Sequence, residues 1–120
     1  MSEHDEQATF FAILERNEKQ FPFLKWVFAI PNGGHRHPAT ARRLKAEGVK
    51  AGVHDVCIPI PRKDYHGAFI EFKFGKNKST PAQDDFAAFL IWQNYRTRTV
   101  YSCDDGLDFI EDYLSIQLNK

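Results

Sequence analysis

Hydrophobic residues along the chain follow two spacings, and each spacing predicts a different kind of element. Residues that recur every three to four positions predict four helices, and short β-branched and aromatic runs bounded by Gly or Pro predict four strands. The predicted helices span residues 3–20, 38–47, 81–95 and 104–118. The predicted strands are at residues 25–30, at 97–102, and as two neighbouring strands within residues 52–75 with a turn at 64–67.

Residues that start or stop helices support these boundaries. Pro22 follows the first helix, Pro38 lies in the first turn of the second, and Ser79 or Thr80 can cap the third. Helices interleaved with strands predict an α/β fold, with a small mixed four-stranded sheet flanked by helices on both faces. We expect a single domain over residues 1–120.

Two charged residues interrupt the second strand of the segment 52–75. Because side chains alternate along a strand, Glu71 and Lys73 project from one face together with Phe69. The other face is apolar and is formed by Ile70, Phe72 and Phe74. A charged pair in an otherwise apolar strand is costly unless it is paired, bound to a metal or used in chemistry. The pair is therefore a candidate functional site.

Asp55 opens the first of these two strands, so it is predicted to lie near Glu71 and Lys73. The Gly-containing residues 48–52 before it permit close approach of the backbone to a ligand. Two acids and a lysine on neighbouring strands can hold a hard divalent cation and a phosphodiester together. Taken alone, Asp55 is equally well explained as a residue that caps a turn.

Glu6 and Gln83 are further candidates, because each lies in the first turn of a predicted helix at the end of its apolar stripe. A polar residue at the end of a buried stripe needs a partner, which a metal–phosphate site could supply. The alternative is a polar residue at a helix end in water.

Net charge is zero, with 16 Lys and Arg against 16 Asp and Glu, which taken alone argues against a nucleic-acid-binding protein. The charges are nevertheless segregated along the chain. Residues 1–20 carry −3 (five acids and two bases), residues 25–78 carry +7 (eleven bases and four acids), and residues 104–112 carry five acids and no base. A positive surface can therefore exist beside a neutral total, although solvated faces explain the same pattern.

The basic and polar residues of the positive stretch are candidates for phosphate contacts, with a solvated surface as the alternative for each. They are Asn32, His35, Arg36, His37, Arg42, Arg43, Lys45, Lys50, Lys76 and Lys78. A zinc site is disfavoured, because the spacing of the His and Cys residues matches no closed structural pattern.

The two cysteines, Cys57 and Cys103, fall in predicted strands, which suits reduced thiols in a cytoplasmic protein. Residues 1–7 are acidic and polar, unlike a signal peptide, and no apolar run approaches the length of a membrane span. We expect a soluble protein of the cytoplasm.

Taken together in chain order, six segments resemble the VRR-Nuc family of virus-type replication and repair nucleases, a branch of the PD-(D/E)xK superfamily. These segments are Glu6-Gln7, residues 30–34 (IPNGG), residues 48–55 (GVKAGVHD), residues 69–73 (FIEFK), residues 79–83 (STPAQ) and Tyr113-Leu114. One position departs from the family, which commonly has Pro where this chain has His54.

The resemblance implies a restriction-endonuclease-like core and a role for each motif residue. Asp55 and Glu71 would be the carboxylate ligands of Mg²⁺ or Mn²⁺, aided by the backbone carbonyl of Phe72. Lys73 would hold or polarise the attacking water and the scissile phosphate. Glu6 would complete the acidic cluster, and Gln83 would position Lys73, the water or the phosphate.

The resemblance also implies a function, namely a metal-dependent DNA endonuclease that leaves 5′-phosphate and 3′-hydroxyl ends. Stand-alone domains of this size are similar to phage and bacterial proteins that act as homodimers on branched DNA, including Holliday junctions. Two alternatives stay open. One is a flap, nicking or single-strand nuclease, or a nuclease subunit of a replication and repair complex, and the other is a catalytically silent DNA-binding module of the same fold.

Overall fold

A computed structural model of the chain describes residues 2–31 and 37–120. Its helices are α1 (Glu3–Arg16), α2 (Pro38–Ala46), α3 (Pro81–Trp92) and α4 (Cys103–Leu114). Its strands are β1 (Phe28–Ala29), β2 (Val56–Ile58), β3 (Ala68–Phe72) and β4 (Arg96–Val100). A 3₁₀ turn at Pro22–Trp26 precedes β1.

The four strands form one mixed sheet in the order β1-β2-β3-β4. β1 and β3 both pair antiparallel with β2, whereas β4 runs parallel to β3. A parallel neighbour cannot be reached by a tight turn, and α3 supplies the crossover between β3 and β4. The predicted small mixed four-stranded α/β sheet is confirmed.

One face of the sheet carries the main hydrophobic core, against which α1 and α4 pack. The rings of Phe10 in α1 and Phe72 in β3 meet edge to face, with centroids 5.4 Å apart. Gly106 lets α4 approach closely, since a Cβ there would lie 3.0 Å from the Phe10 ring and 3.2 Å from the Phe72 ring. The odd-numbered residues of β3 therefore face away from this core.

The second face of the sheet is covered by α3. Phe69 of β3 packs edge to face against Phe86 of α3, at 5.5 Å between centroids, and against Tyr95, at 5.8 Å. Helices thus lie on both faces, as the sequence predicts. Because Glu71 lies two residues beyond Phe69 on the same strand, it enters the layer between the sheet and α3.

The structure corrects three sequence-based assignments near strands. Phe74 does not fill the apolar face but is 46% exposed, because β3 ends at Phe72 and Gly75 turns the chain with φ of 60°. The predicted strand at 25–30 is shortened to Phe28–Ala29, since the residues before it form the 3₁₀ turn. Cys103 is not in a strand but begins α4.

The helix ends differ from the predicted ones for identifiable reasons. α1 stops at Arg16, where the buried side chain of Asn17 donates to the carbonyls of Ile13 (2.8 Å) and Asn119 (2.9 Å) and ties the helix to the chain terminus. α4 stops at Leu114, because Ser115 adopts a left-handed backbone with φ of 55°. Within the described ranges, no helix combines the length and apolar character needed to cross a bilayer.

Candidate active site

Glu71 and Lys73 lie together in the layer between β3 and α3, and both are buried, at 4% and 9% exposure. The Nζ atom of Lys73 lies 3.8 Å from Oε2 of Glu71. The amide of Lys73 donates to the carbonyl of Val100 at 2.8 Å. Pairing with β4 therefore continues for one residue past the end of β3 and fixes the backbone of Lys73. The predicted charged pair is therefore real, and it is shielded from water.

Asp55 is tied to the strands on both sides of it. Its Oδ2 atom accepts a hydrogen bond from the amide of Phe72 at 2.8 Å, and its backbone carbonyl accepts one from Ile30 at 2.7 Å. The first contact fixes the carboxylate against the strand that carries Glu71. The structure thus brings Asp55, Glu71 and Lys73 to one place, as predicted from their spacing.

Gln83 joins this group from α3 through both ends of its side-chain amide. Oε1 accepts from the amide of Thr80 at 2.9 Å, and the Thr80 hydroxyl accepts from the amide of Gln83 at 3.2 Å, which completes a capping box. Nε2 then donates to Oε2 of Glu71 at 3.0 Å. The predicted convergence of Gln83 on the site is observed, and its direct partner is Glu71.

The electrostatics of the two carboxyl groups favour a cation. Burial and, after it, the charge of Asp55 together raise the pKa of Glu71 to about 8, against the opposing effect of Lys73. Burial also raises the pKa of Asp55, against the lowering effect of the hydrogen bond from Phe72. Both carboxyl groups hold their protons more strongly than in water, so a bound cation would stabilise the ionised pair.

Among the carboxylates of α1, Glu3 influences the pKa values of this pair. Its charge raises the pKa of both Asp55 and Glu71, whereas the charge of Glu6 raises the pKa of Cys103. The role implied for Glu6 stays a prediction, and Glu3 is a candidate that the sequence analysis missed. The signal in the sequence was the acidic first turn of the helix, which contains Glu3 as well as Glu6.

His54 is a second residue at this site that the sequence analysis did not include among the candidates. It is 2% exposed, its ring meets Phe86 edge to face at 5.1 Å, and its Nδ1 lies 3.7 Å from Oε1 of Glu71. Burial lowers the pKa of the imidazole, and Lys73 lowers it further, against a hydrogen bond with the backbone of Gly52. The ring is therefore neutral near pH 7.

With the geometry established, comparison with known proteins assigns the chain. A model of the VRR-NUC domain matches residues 1–104. The chain belongs to the VRR-NUC family. A solved structure described as a VRR_NUC domain protein has a TM-score of 0.77 and 27% identity to it, and the match covers 96% of this chain and 89% of that one. A search of curated proteins found no match.

Membership of the VRR-NUC family confirms the predicted restriction-endonuclease-like core and makes this a nuclease domain with DNA as its substrate. The family typically uses divalent metal ions. Among the described residues, no three His, Cys, Asp or Glu side chains are gathered as a ready-made metal site. The donors nevertheless suit Mg²⁺ or Mn²⁺, because Oε1 of Glu71 is a buried oxygen without a hydrogen-bond partner beside a second carboxylate.

The residues proposed to contact DNA lie on the surface where they are described. Arg42, Arg43 and Lys45 are exposed on α2, and Lys50, Lys76 and Lys78 are exposed in loops. His37 has a structural role, because its Nδ1 accepts from the amide of Ala39 at 3.1 Å and caps α2. Asn32, His35 and Arg36 lie outside the described residues. The DNA contacts of this VRR-NUC chain stay predictions.

Proposed function

We propose that this VRR-NUC chain is an Mg²⁺- or Mn²⁺-dependent endodeoxyribonuclease that cleaves branched DNA, including Holliday junctions, as a homodimer. The observation that carries the proposal is the buried Glu71 carboxylate, held by Gln83, with Lys73 at 3.8 Å and with Asp55, the residue before β2, bound to the amide of Phe72. Such a group is costly to build and is hard to explain in a domain that only binds DNA.

The side chains divide the work by their chemistry. Asp55 and Glu71, with the backbone carbonyl of Phe72, would hold the cation through oxygen donors. A bound divalent cation offsets charge on the phosphate and lowers the pKa of a bound water. The ammonium of Lys73 would hold the scissile phosphate and the attacking water in line.

Gln83 and Glu3 act on the carboxyl groups of this arrangement. Gln83 donates to Oε2 of Glu71 and so leaves Oε1 of that carboxylate for the cation. Glu3 adds negative charge that raises the pKa of the carboxyl pair, and this charge strengthens the attraction for a divalent ion. We propose Glu3 as the acid from α1 that completes the cluster, with Glu6 as the alternative.

The homodimer is supported by an apolar surface on α3. Phe89, Ile91 and Trp92 are 54%, 62% and 77% exposed, and the rings of Phe89 and Trp92 touch, at 6.2 Å between centroids. The exposed rings of Phe89 and Trp92 form one apolar patch, and such a patch is typical of an interface. Two incisions in a four-way junction need two active sites, and a two-fold dimer supplies them with matching symmetry.

Cleavage of a labelled panel of duplex, single-stranded, flap and four-way-junction DNA tests the proposal. We expect junction cleavage with Mg²⁺ or Mn²⁺, none with chelator, and a loss of at least about a hundredfold in Lys73→Ala. Lys19→Ala, which removes an exposed lysine outside the proposed DNA-contacting residues, is the matched control and should retain cleavage. If flaps or single strands are cut in preference to junctions, the nuclease function stands but the proposed junction specificity is wrong. Metal-stimulated binding without any cleavage would indicate a silent module.

A further inference from the structure

An exposed aromatic residue of β1, Phe28, lies on the same face of the sheet as the candidate active site. Phe28 pairs with Cys57 of β2, and Cys57 pairs with Phe69 of β3, so the three side chains form one row across the sheet. Phe69 packs against α3 on the face that also carries Glu71. The row therefore leads from the layer beneath α3 to Phe28, which is 48% exposed.

Trp26 enlarges this exposed aromatic surface. Val27, between Trp26 and Phe28, has an extended backbone, and its side chain is buried in the core. Because side chains alternate along an extended chain, Trp26 and Phe28 project together from the opposite face. Trp26 is 63% exposed, and the Nζ atom of Lys25 lies 5.2 Å from the centroid of its ring. These three residues, Lys25, Trp26 and Phe28, form the aromatic platform.

The aromatic platform is close enough to the site to contact the same DNA strand. β1 is two strand spacings from β3, and Glu71 lies two residues beyond the row that contains Phe28. With about 4.8 Å between strands and about 3.3 Å per residue, the Cα atoms of Phe28 and Glu71 are about 12 Å apart. Stacked nucleotides of one strand rise by about 3.4 Å each, so a few nucleotides span this distance.

The chemistry of the aromatic platform fits unpaired nucleobases. Every base has a face that stacks on an aromatic ring, and a lysine beside the ring attracts the neighbouring phosphate. Bases within a duplex stack on each other, whereas unpaired bases leave that face free. A second copy of the chain fits less well, because lysine is depleted in protein interfaces and Lys25 lies against the exposed Trp26 ring.

We propose that the aromatic platform stacks unpaired bases of the DNA strand that leads to the cleaved bond. This inference rests on the proposed nuclease function and names the part of the substrate that lies beside the site. That part is a run of unpaired nucleotides a few positions from the cleaved bond, as at an open branch point or in a flap. The protein therefore binds DNA with such nucleotides more tightly than it binds continuous duplex.

Equilibrium binding measured by fluorescence anisotropy with chelator present tests the platform without any cleavage. The probes are a labelled duplex and the same duplex with a single-stranded thymidine tail. Trp26→Ala should bind the tailed DNA at least about fivefold more weakly than the parent, and should bind the duplex within about twofold of it. Phe28→Ala should show the same loss, so the test does not depend on one variant. Trp26→Phe keeps a ring and should restore most of the affinity.

Two further variants separate stacking from other effects. Tyr65→Ala removes an exposed aromatic residue that packs on Tyr113 of α4, and as the matched control it should bind both probes as the parent does. Stacking releases no counterions, so Trp26→Ala should leave the salt slope of the binding constant unchanged. Lys25→Ala should reduce that slope on the tailed DNA by about 0.7, the value for one phosphate of a single strand.

The outcomes separate this inference from the function on which it rests. If Trp26→Ala and Phe28→Ala weaken binding of both probes alike, or of neither, the inference is overturned. It is also overturned if light scattering shows that Trp26→Ala changes the oligomeric state, because the platform is then an interface between copies. A parent that cleaves DNA but binds both probes equally would overturn the platform and leave the nuclease function. Platform-dependent binding without cleavage in Mg²⁺ or Mn²⁺ would leave a stacking site beside a silent one.

Discussion

Gln83 and Glu71 are joined by a hydrogen bond of 3.0 Å from Nε2 to Oε2, and the same amide accepts from the backbone of Thr80 at 2.9 Å. One side chain therefore both begins α3 and orients the central carboxylate. Because Oε1 of Gln83 is committed to the cap, its NH₂ group must point at Glu71. The start of the crossover helix and the geometry of the site are thus set by the same residue.

This relationship predicts that Gln83→Glu will damage activity while preserving the helix. Glu at this position still completes a capping box, but it replaces a donor to Glu71 by a second carboxylate. We expect cleavage at pH 7 to fall at least about tenfold with a melting temperature close to that of the parent. Gln93→Glu, at the exposed end of α3, is the control. Parental cleavage by Gln83→Glu would show that the contact does not matter to the reaction.

The raised pKa of Glu71 predicts a stability that depends on pH. Between its ordinary value of 4.5 and its folded value of about 8, the folded protein binds more protons at this group than the unfolded chain does. Stability of the metal-free protein should therefore fall as pH rises through this window, by up to about 1.4 kcal/mol per pH unit for one group. Glu71→Gln should flatten the slope measured by urea unfolding with chelator present.

Glu111→Gln provides a control of opposite sign for that measurement. A hydrogen bond from the amide of Leu118 lowers the pKa of Glu111, so its stabilising effect is present above pH 4.5 and is lost as pH falls. Glu111→Gln should change how the free energy of unfolding depends on pH below about pH 4.5. The slope between pH 5 and 8 should stay as in the parent. A Glu71→Gln slope equal to the parental one would mean that Glu71 ionises normally in the folded protein.

Gly52 lies in tight contact with the start of α3, and it belongs to the loop that also carries His54 and Asp55. A Cβ at Gly52 would lie 2.4 Å from the carbonyl oxygen of Ala82, and the backbone has φ of 87°. Gly48 also has a positive φ, of 104°, but nothing lies within 4 Å of its would-be Cβ. Replacing either glycine by Ala should lower the free energy of unfolding by about 1 kcal/mol because of the left-handed backbone. Gly52→Ala should lower it further, because its Cβ would clash with Ala82.

Thermal unfolding of the two glycine variants isolates the contact. A loss of 1 kcal/mol lowers the melting temperature of a domain of this size by about 4 °C. We expect Gly52→Ala to melt at least about 8 °C below Gly48→Ala and to lose cleavage, because its loop must move away from Gln83. Equal melting temperatures would show that the loop does not press on α3.

The exposed arginines of α2 predict salt-sensitive DNA binding that is separable from chemistry. Replacing Arg42 and Arg43 by Ala should weaken binding to all sequences alike and reduce the salt slope of the binding constant by about 1.8 if both contact phosphates. Arg16 and Lys19, two exposed bases in the acidic part of the chain, make the matched double control. An unchanged slope after the α2 replacement would place the DNA path elsewhere.

Sequence patterns predicted well the strand that carries Glu71, because alternation of side chains along a strand is strict. Asp55 lies one residue before β2 instead of opening that strand. Glu71, Lys73 and Phe69 share a face as expected, and Gln83 reaches that face because the capping motif fixes its position. The misses have a different cause. Whether Glu3 or Glu6 acts on the carboxyl pair depends on how α1 rotates against the sheet, and periodicity alone does not fix that rotation. His54 lies beside Glu71 because Gly52 bends the loop, which is a tertiary effect.

The apolar surface of α3 predicts a dimer that single substitutions can disrupt. Trp92 is the most exposed large apolar residue of that surface at 77%, and it touches Phe89. We expect light scattering at micromolar concentration to give a dimer for the parent and a monomer for Trp92→Ser, since interface energy concentrates in such aromatic residues. Tyr101→Ser, at an exposed aromatic residue outside α3, should stay dimeric.

Cleavage products separate the dimer from the active site in the same experiment. A monomeric Trp92→Ser retains Asp55, Glu71 and Lys73, so it should still nick DNA but lose paired incisions across a four-way junction. A parent that is a strict monomer at micromolar concentration would refute the dimer and the resolvase specificity together. It would leave the nuclease site untouched, because every side chain that builds that site comes from one chain.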